Sequence, residues 1–255
     1  MQNFYTVILA AGQGKRMGAE IPKVLVPING RPMIDHLLDS VDGSGIENKP
    51  VVVIGHGSEL IIEHLEGRCE FALQVEQLGT AHALQCALPF IGETGRVLVL
   101  YGDHAFVSAH TIKKLVDFCQ TKTSPVIMMT VQLPDFEDWR KAFYDFGRIA
   151  RGEDDSVKKI VEKRDASEAE LAITEVNPGY YCFDIAWVKQ NIEKIKNQNA
   201  QGEYYLTDLI GLAIDQGLLV EAIPVDDPRE GLGVNTFEQL RLAEGVVGDI
   251  SSPHP

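Results

Sequence analysis

The chain has few cysteines, no excess of basic residues and no long apolar run, and each shortage closes off a class of function. Its four cysteines, Cys69, Cys86, Cys119 and Cys182, lie far apart with no CxxC pair. Neither a zinc knuckle nor a disulfide framework is indicated, and a reducing compartment, the cytoplasm, is the expected setting. Lys and Arg number 23 against 37 Asp and Glu, a formal net charge of −14. Nucleic acid or an anionic membrane would need a broad basic face, which this balance argues against, whereas a small anionic substrate needs only a few cations focused in one cleft. The N-terminal run FYTVILA is too short to span a membrane and has no basic region before it, so it reads as a buried strand of a soluble, unprocessed chain. Internal repeats, low-complexity tracts and interdomain linkers are also missing.

With 255 residues, 45% of them hydrophobic, the chain can bury one large α/β core. We expect a single domain over 1–248 and a frayed tail over 249–255. The β-branched runs TVILA, PVVVIG, FALQV, RVLVLYGD and SPVIMMTV alternate with the helically spaced PMIDHLLDSV, GSELIIEHL, TAHALQCAL and TIKKLVDFC. Strands so continuously apolar are covered on both faces, which predicts a mixed, mainly parallel, Rossmann-like sheet with helices on either side. Ligands of such sheets bind beyond the carboxyl ends of the strands, where LAAGQGKRM and YGDH both fall. After about Val131 the pattern becomes irregular, with strands of antiparallel character, and an acceptor-side lid or subdomain is expected over about 132–182. Two helices (AWVKQNIEKIKN and EYYLTDLIGLAIDQG), a strand (LLVEAIPV) and a last helix (TFEQLRLAEGVVG) complete the chain.

LAAGQGKRM runs from a strand into two glycines and two cations. Gly12 and Gly14 form GxG, but Met17 stands where a dinucleotide fingerprint needs its third glycine, and GKR lacks the hydroxyl residue of a Walker A loop. What remains is a glycine loop with Arg16 inside it and Lys23 shortly after. Backbone N–H groups at glycines can approach a phosphate closely, with two cations to neutralise a triphosphate; a tight strand-to-helix turn with solvated cations is the plainer reading. Asp103 ends the apolar strand LVLYGD, where it could ligate magnesium together with substrate phosphates, or cap the helix beginning near Ser108. His104 beside it lacks a spaced partner and reads as a neighbour of the metal site or as solvent-facing.

Taken in order from Val7 to about Leu240, LAAGQGKRM, PKVL, QLGTAHAL, YGD, FGRI, IVEKRDA, EVNPG, QGEYYLTD and GVN resemble the uridylyltransferase domain of the bacterial N-acetylglucosamine-1-phosphate uridylyltransferase family, within the sugar-phosphate nucleotidyltransferases. The resemblance implies the nucleotide-diphospho-sugar transferase fold. It also implies formation of UDP-N-acetylglucosamine and pyrophosphate from UTP and N-acetylglucosamine 1-phosphate, with Mg²⁺ as cofactor. It would place the nucleotide against Leu9, Ala10, Ala11, Gly12 and Gly14, with Gln74, Gln77, Gly79, Thr80, Tyr101 and Gly102 around it, Gln74 offering a paired donor and acceptor to the uracil edge. Arg16 and Lys23 would act on the phosphates and Asp103 and Asn235 would bind the metal. Gly147, Glu162, Asn177 and Thr207 would line the sugar-phosphate pocket. Each has a plainer reading: Gln74 or Gln77 a strand-surface polar residue, Glu162 a solvated edge charge, Asn177 a turn residue before Pro178, Thr207 an N-cap. A sugar 1-phosphate is already ionised near neutrality, its second pKa being about 6, so no general base is implied. The alternatives are a nucleotidyltransferase for another sugar or polyol phosphate, with UTP or CTP, and a non-catalytic nucleotide-binding protein on the same fold.

Three features depart from the family pattern. HAF follows Asp103 where a proline turn is usual, and Pro178 stands in EVNPG where Thr is usual, removing a hydroxyl and an N–H. The third is an insertion over 135–146 with Phe136, Trp139, Phe143 and Tyr144 spaced as on one helical face. The chain also leaves no room for the hexapeptide-repeat acetyltransferase domain of bifunctional members, so neither acetyl transfer nor repeat-driven trimers are expected, and a monomer or homodimer is.

Overall fold

The computed structural model describes residues 2–12, 17, 21–55, 58–199 and 201–247. Strand β1 (Phe4–Leu9), buried apart from the half-buried Tyr5, lies inside the sheet between β4 and β6. The hairpin of β2 (Pro27–Ile28) and β3 (Arg31–Pro32) turns on Asn29 and Gly30, both at positive φ, the arrangement a two-residue hairpin loop requires. It leads into α1 (Met33–Gly43), whose buried Met33, Ile34, Leu37, Leu38 and Val41 follow the helical period. The βα series continues through β4 (Val51–Ile54), α2 (Glu59–His64), β5 (Glu70–Leu73), α3 (Thr80–Ala87), β6 (Arg96–Tyr101), α4 (Ala109–Gln120) and β7 (Val126–Gln132). Then follow β8 (Arg148–Arg151), β9 (Val157–Val161), α5 (Glu168–Leu171), β10 (Glu175–Val176), β11 (Tyr181–Asp184), α6 (Ile185–Asn191), α7 (Leu206–Asp215), β12 (Val220–Pro224) and α8 (Phe237–Val247).

Among the described residues ten strands form one sheet in the order β5-β4-β1-β6-β11-β7-β10-β8-β9, with β12 on the other side of β7. β5, β4, β1 and β6 are mutually parallel, β12 is parallel to β7, and β11 runs antiparallel between β6 and β7. Alternate residues feed two cores, as the pleat dictates. Ile8, Val52 and Leu98 pack with residues of α1 and α4 on one face, while Val7, Val53 and Val99 pack with α3, α6 and α7 on the other. From β1 the chain moves outward to β4 and β5 and returns to the opposite side of β1 as β6. The carboxyl ends of β1 and β6 therefore flank a topological switch point, where doubly wound sheets bind ligands.

The strands β8 to β10 are antiparallel, as their irregular pattern suggested, and they extend the same sheet: β10 pairs with β7 and with β8, and β8 with β9. One edge of β7 serves two strands, β11 at Val126–Met128 and β10 at Val131–Gln132, because Pro178 and Gly179 break the chain between them. The inserted aromatics differ from a single helical face. Residues Asp138–Asp145 form 3-10 turns, with Phe143 buried in the core and Tyr144 exposed. The cause is Arg148, fully buried, whose guanidinium lies 4.7 Å from the Phe136 ring and 5.2 Å from that of Tyr144 and donates to the carbonyls of Tyr144 and Phe146. Among the described residues no helix is long and apolar enough to cross a membrane.

Candidate active site

Two cavities open at the switch point and share a wall made of Thr80, Tyr101, Asp103 and Asn235. The narrower, about 280 Å³, is lined by Leu9, Ala10, Ala11, Gly12, Lys23, Gln74, Gln77 and Gly79 together with that wall. Gly14 and Arg16 lie outside the described residues. Backbone hydrogen bonds fix the strand ends beside the cavity. Ala10 extends the ladder by donating to the Val53 carbonyl at 2.8 Å, and Gly102 donates to Leu9 at 2.9 Å. Gly102 does not line the cavity but lets its strands close: a Cβ there would stand 2.8 Å from Val24 and 3.3 Å from Ala10.

Gly79 is required by both its backbone and its neighbours. Its φ is +115°, and a Cβ would lie 2.7 Å from the Tyr204 nitrogen. That close approach zips QLGT to GEYYL: Tyr204 donates to Leu78 at 2.7 Å, Ala81 to Tyr204 at 2.9 Å, and the Leu206 amide to Thr80 Oγ1 at 3.0 Å. Thr80 thus satisfies the start of α7, a role open to Thr207 on sequence alone; Thr207 sits inside the helix and lines the wider cavity. Gln77 reaches over Gly55 to donate to the Ala11 carbonyl at 2.5 Å. Gln74 is 3% exposed, and its amide nitrogen donates to the Gly79 carbonyl at 3.0 Å and meets His82 Nδ1 at 3.1 Å. Both hydrogens are committed within the protein, so the paired donor and acceptor expected at this residue reduce to the acceptor.

The wider cavity, about 790 Å³, is lined by Gly147, Glu162, Asn177 and Thr207, with His104, Lys163, Arg164, Asn199, Gln201 and Tyr205 also contributing. Asn177 has both ends of its amide engaged, donating to the Tyr181 hydroxyl at 2.6 Å and accepting from the Gly179 N–H at 3.0 Å. It shapes the turn through Pro178, as its plainer reading has it. Gly179, at φ +90°, passes so close to Tyr101 that a Cβ would stand 2.5 Å from the ring. Glu162 is exposed at the rim; desolvation by the surrounding protein and then the carboxylates of Asp165 and Asp208 push its carboxyl above the ordinary range.

At the junction the Lys23 ammonium donates to Asp103 Oδ2 and, at 2.8 Å, to Asn235 Oδ1. Asn235 is oriented through its own N–H, which donates to Gln239 Oε1 at 2.7 Å, and Val234 donates to the Asp103 carbonyl at 3.3 Å. Burial pushes the Asp103 carboxyl up, but Lys23 and His104 outweigh it and hold it below its usual value. Asp103 is not a helix cap: Ser108 caps α4, accepting from Thr111 at 3.1 Å. His104 is buried rather than solvent-facing, 5% exposed, its ring set against Tyr101 and Tyr180 at centroid distances of 5.5 and 5.0 Å. Its Nε2 is 3.9 Å from Asp103 Oδ1, its Nδ1 is buried without a partner, and burial lowers the basicity of the ring. No group of three or more His, Cys, Asp or Glu side chains is arranged around a metal among the described residues. The two oxygens that converge on a lysine cation suit instead a hard cation held by few protein groups and by substrate phosphates.

Sequence reasoning missed the contributions of Glu203, Gln201 and Tyr205, although QGEYYLTD contained them; only contact across the sheet reveals which of its residues face the cavities. A doubly wound sheet with a glycine-lined cleft at its switch point, where a lysine meets a carboxylate and an amide oxygen, defines a nucleotide-handling α/β protein. The chain belongs to the MobA-like NTP transferase family, whose domain model matches residues 6–139.

More specific likenesses extend over nearly the whole chain. The bifunctional protein GlmU of Shouchella clausii is 42% identical over 249 residues, 97% of this chain and 53% of that protein. GlmU of Pelotomaculum thermopropionicum is 43% identical over 239 residues, 93% of this chain and 50% of that protein. The chain therefore spans about half the length of these relatives. A crystal structure described as a putative glucose-1-phosphate thymidylyltransferase from Bacillus anthracis in complex with a sucrose shares the fold, with a TM-score of 0.76, 21% identity and 98% of each chain covered.

Proposed function

We propose that this chain is a uridylyltransferase that forms UDP-N-acetylglucosamine and pyrophosphate from UTP and N-acetylglucosamine 1-phosphate, with Mg²⁺ as cofactor. The observation that carries the proposal is the meeting of two cavities at Lys23, Asp103 and Asn235, and the likeness to GlmU supports the choice of substrates.

In this reading the base and ribose enter the narrow cavity, where the main chain from Leu9 to Gly12 and the amide oxygen of Gln74 meet them. The sugar occupies the wide one beside Gly147, Glu162 and Thr207. The acceptor's phosphate oxygen, already ionised near neutrality, attacks the α-phosphorus of UTP, and the bond to the bridging oxygen of pyrophosphate breaks opposite. Two anions must be brought together, so the protein's task is positioning and neutralisation. Lys23, the cation between the cavities, is suited to the transferred phosphoryl group, and Arg16 is assigned to the departing phosphates. Mg²⁺ held by Asp103 and Asn235 would supply further positive charge against the substrate phosphates.

The test is pyrophosphate release on incubation with UTP, Mg²⁺ and N-acetylglucosamine 1-phosphate. Release with this pair is expected. Release with a different sugar phosphate alone would overturn the acceptor, and UTP binding without turnover on any acceptor would overturn catalysis.

A further inference from the structure

Gln74 presents one sense of its amide to the narrow cavity, and the groups that fix that sense lie behind it. The Gln74 backbone is anchored to the sheet by its N–H, which donates to the Ile54 carbonyl at 2.8 Å. Its two amide hydrogens are taken by the Gly79 carbonyl at 3.0 Å and by His82 Nδ1 at 3.1 Å. Nδ1 can accept only when the ring proton sits on Nε2. Nε2 has a place for that proton, Cys86 Sγ at 3.8 Å, one turn further along α3. Cys86, His82 and Gln74 thus form a chain in which every hydrogen has one direction, and the amide oxygen is the polar atom that Gln74 has left for a ligand.

We infer that His82 is a specificity-determining positioning residue: its bare Nδ1 holds the amide oxygen of Gln74 toward the base, so that the cavity selects uracil over cytosine. The inference rests on the uridylyltransferase reading. Uracil carries N–H at ring position 3 and can donate to an oxygen placed there. Cytosine carries a bare nitrogen at that position, so two acceptors would face each other without a hydrogen between them, the kind of mismatch that discriminates strongly in a desolvated site. A reversed amide would invert the preference, and it would set the amide oxygen against both Nδ1 and the Gly79 carbonyl. His82 is not itself a cavity-lining residue, and its influence passes through Gln74.

The experiment compares kcat/KM for UTP and CTP, with N-acetylglucosamine 1-phosphate as acceptor, in the wild-type chain, His82→Leu and His82→Asn. His82→Leu removes the acceptor, and the preference for UTP should narrow about fivefold, the worth of one hydrogen bond, since the Gly79 carbonyl still holds the other hydrogen. The change should appear in KM for UTP rather than in kcat. His82→Asn, whose side-chain oxygen can stand in for Nδ1, should retain the wild-type ratio. An unchanged ratio in His82→Leu, or equal narrowing in both variants, would overturn the inference by reducing His82 to packing. Nitrogen-15 NMR of the wild-type chain in mildly alkaline buffer gives a test that needs no variant: a proton on Nε2 is expected, and a proton on Nδ1 would overturn the inference. Wild-type turnover with neither nucleotide would sink the uridylyltransferase reading separately, and the base preference is then read as the ratio of UMP to CMP affinity by calorimetry.

Discussion

The two cavities that meet at Asp103 are built by different means. The narrow one is shaped by close main-chain packing at the ends of parallel strands, where a Cβ at Gly55, Gly79 or Gly102 would collide with backbone or a packed side chain. Its position follows from the register of β1 with β4 and β6. The wide one is walled by side chains from the antiparallel strands and the turns between them, several of them charged. His104 and Pro178, two of the three departures from the family pattern, line the wide cavity, and the inserted 3-10 turns end at its wall in Asp145. A backbone-built pocket cannot change without changing the sheet, whereas a side-chain-built pocket can be altered one residue at a time. On the proposed function, the nucleotide falls to the fixed half and the choice of acceptor to the variable half.

The strongest way to break that comparison is to attack what both halves share. Asp103→Ala should lower turnover by about a thousandfold, measured as pyrophosphate release at saturating substrates; a rate within a few-fold of wild type would detach the junction from the chemistry. Lys23→Met should lower turnover by about a hundredfold and have a second, opposite effect. Because the ammonium donates to Asp103 and Asn235, removing it should tighten Mn²⁺ binding to the nucleotide-free protein by about tenfold, the worth of a charge-assisted hydrogen bond, read by electron paramagnetic resonance. Unchanged Mn²⁺ affinity would mean that Lys23 does not share the cation site.

Arg148 tests whether the halves can be separated. It is buried under Phe136 and Tyr144 and supplies donors to the carbonyls of Tyr144 and Phe146, at the wall of the wide cavity. Arg148→Met keeps volume and removes those donors, and should destabilise the protein by about 3 kcal/mol in denaturant unfolding. In the folded variant KM for the sugar phosphate should rise about tenfold with the affinity for UTP unchanged. Equal loss on both substrates would show one coupled site rather than two independently built ones.

What could be read from sequence divides along the same line. TVILA, PVVVIG, RVLVLYGD and SPVIMMTV are legible as β1, β4, β6 and β7 because strands covered on both faces need unbroken β-branched runs. The strand ends also placed LAAG and YGD at the crevice, whereas Gln74, Gln77, Gly79 and Thr80 were reached only through the family resemblance. Phe136, Trp139, Phe143 and Tyr144 are spaced as on one helical face, but Arg148 draws Phe136 and Tyr144 onto its guanidinium, a pull from outside the periodic window. His104 could not be separated from a solvent-facing residue, one of its two readings, because its cover, Tyr101, Tyr180 and Gly233, comes from separate segments. The state of the Gln74 amide was equally hidden, since it depends on His82 across a turn, and so was the satisfaction of α7 by Thr80, 126 residues away.

The smallest expected effect concerns the antiparallel strands behind the wide cavity. Glu175 on β10 is tied to Arg151 on β8 by two hydrogen bonds of 2.8 and 2.7 Å and accepts from Thr130 at 2.7 Å. Burial raises its carboxyl, but these partners outweigh burial and hold it below the ordinary value of 4.5. A carboxylate whose pKa is depressed by folding adds stability that is fully present above its unfolded value and lost as pH falls through its folded one. The melting temperature should therefore fall between about pH 5 and pH 3, and Glu175→Gln, at a loss of about 1 kcal/mol at neutral pH, should flatten that limb. Because the pair braces strands of the acceptor half alone, UTP affinity in Glu175→Gln should stay at the wild-type value across the same range. A parallel loss of UTP binding would show that the backbone-built half leans on the side-chain-built one.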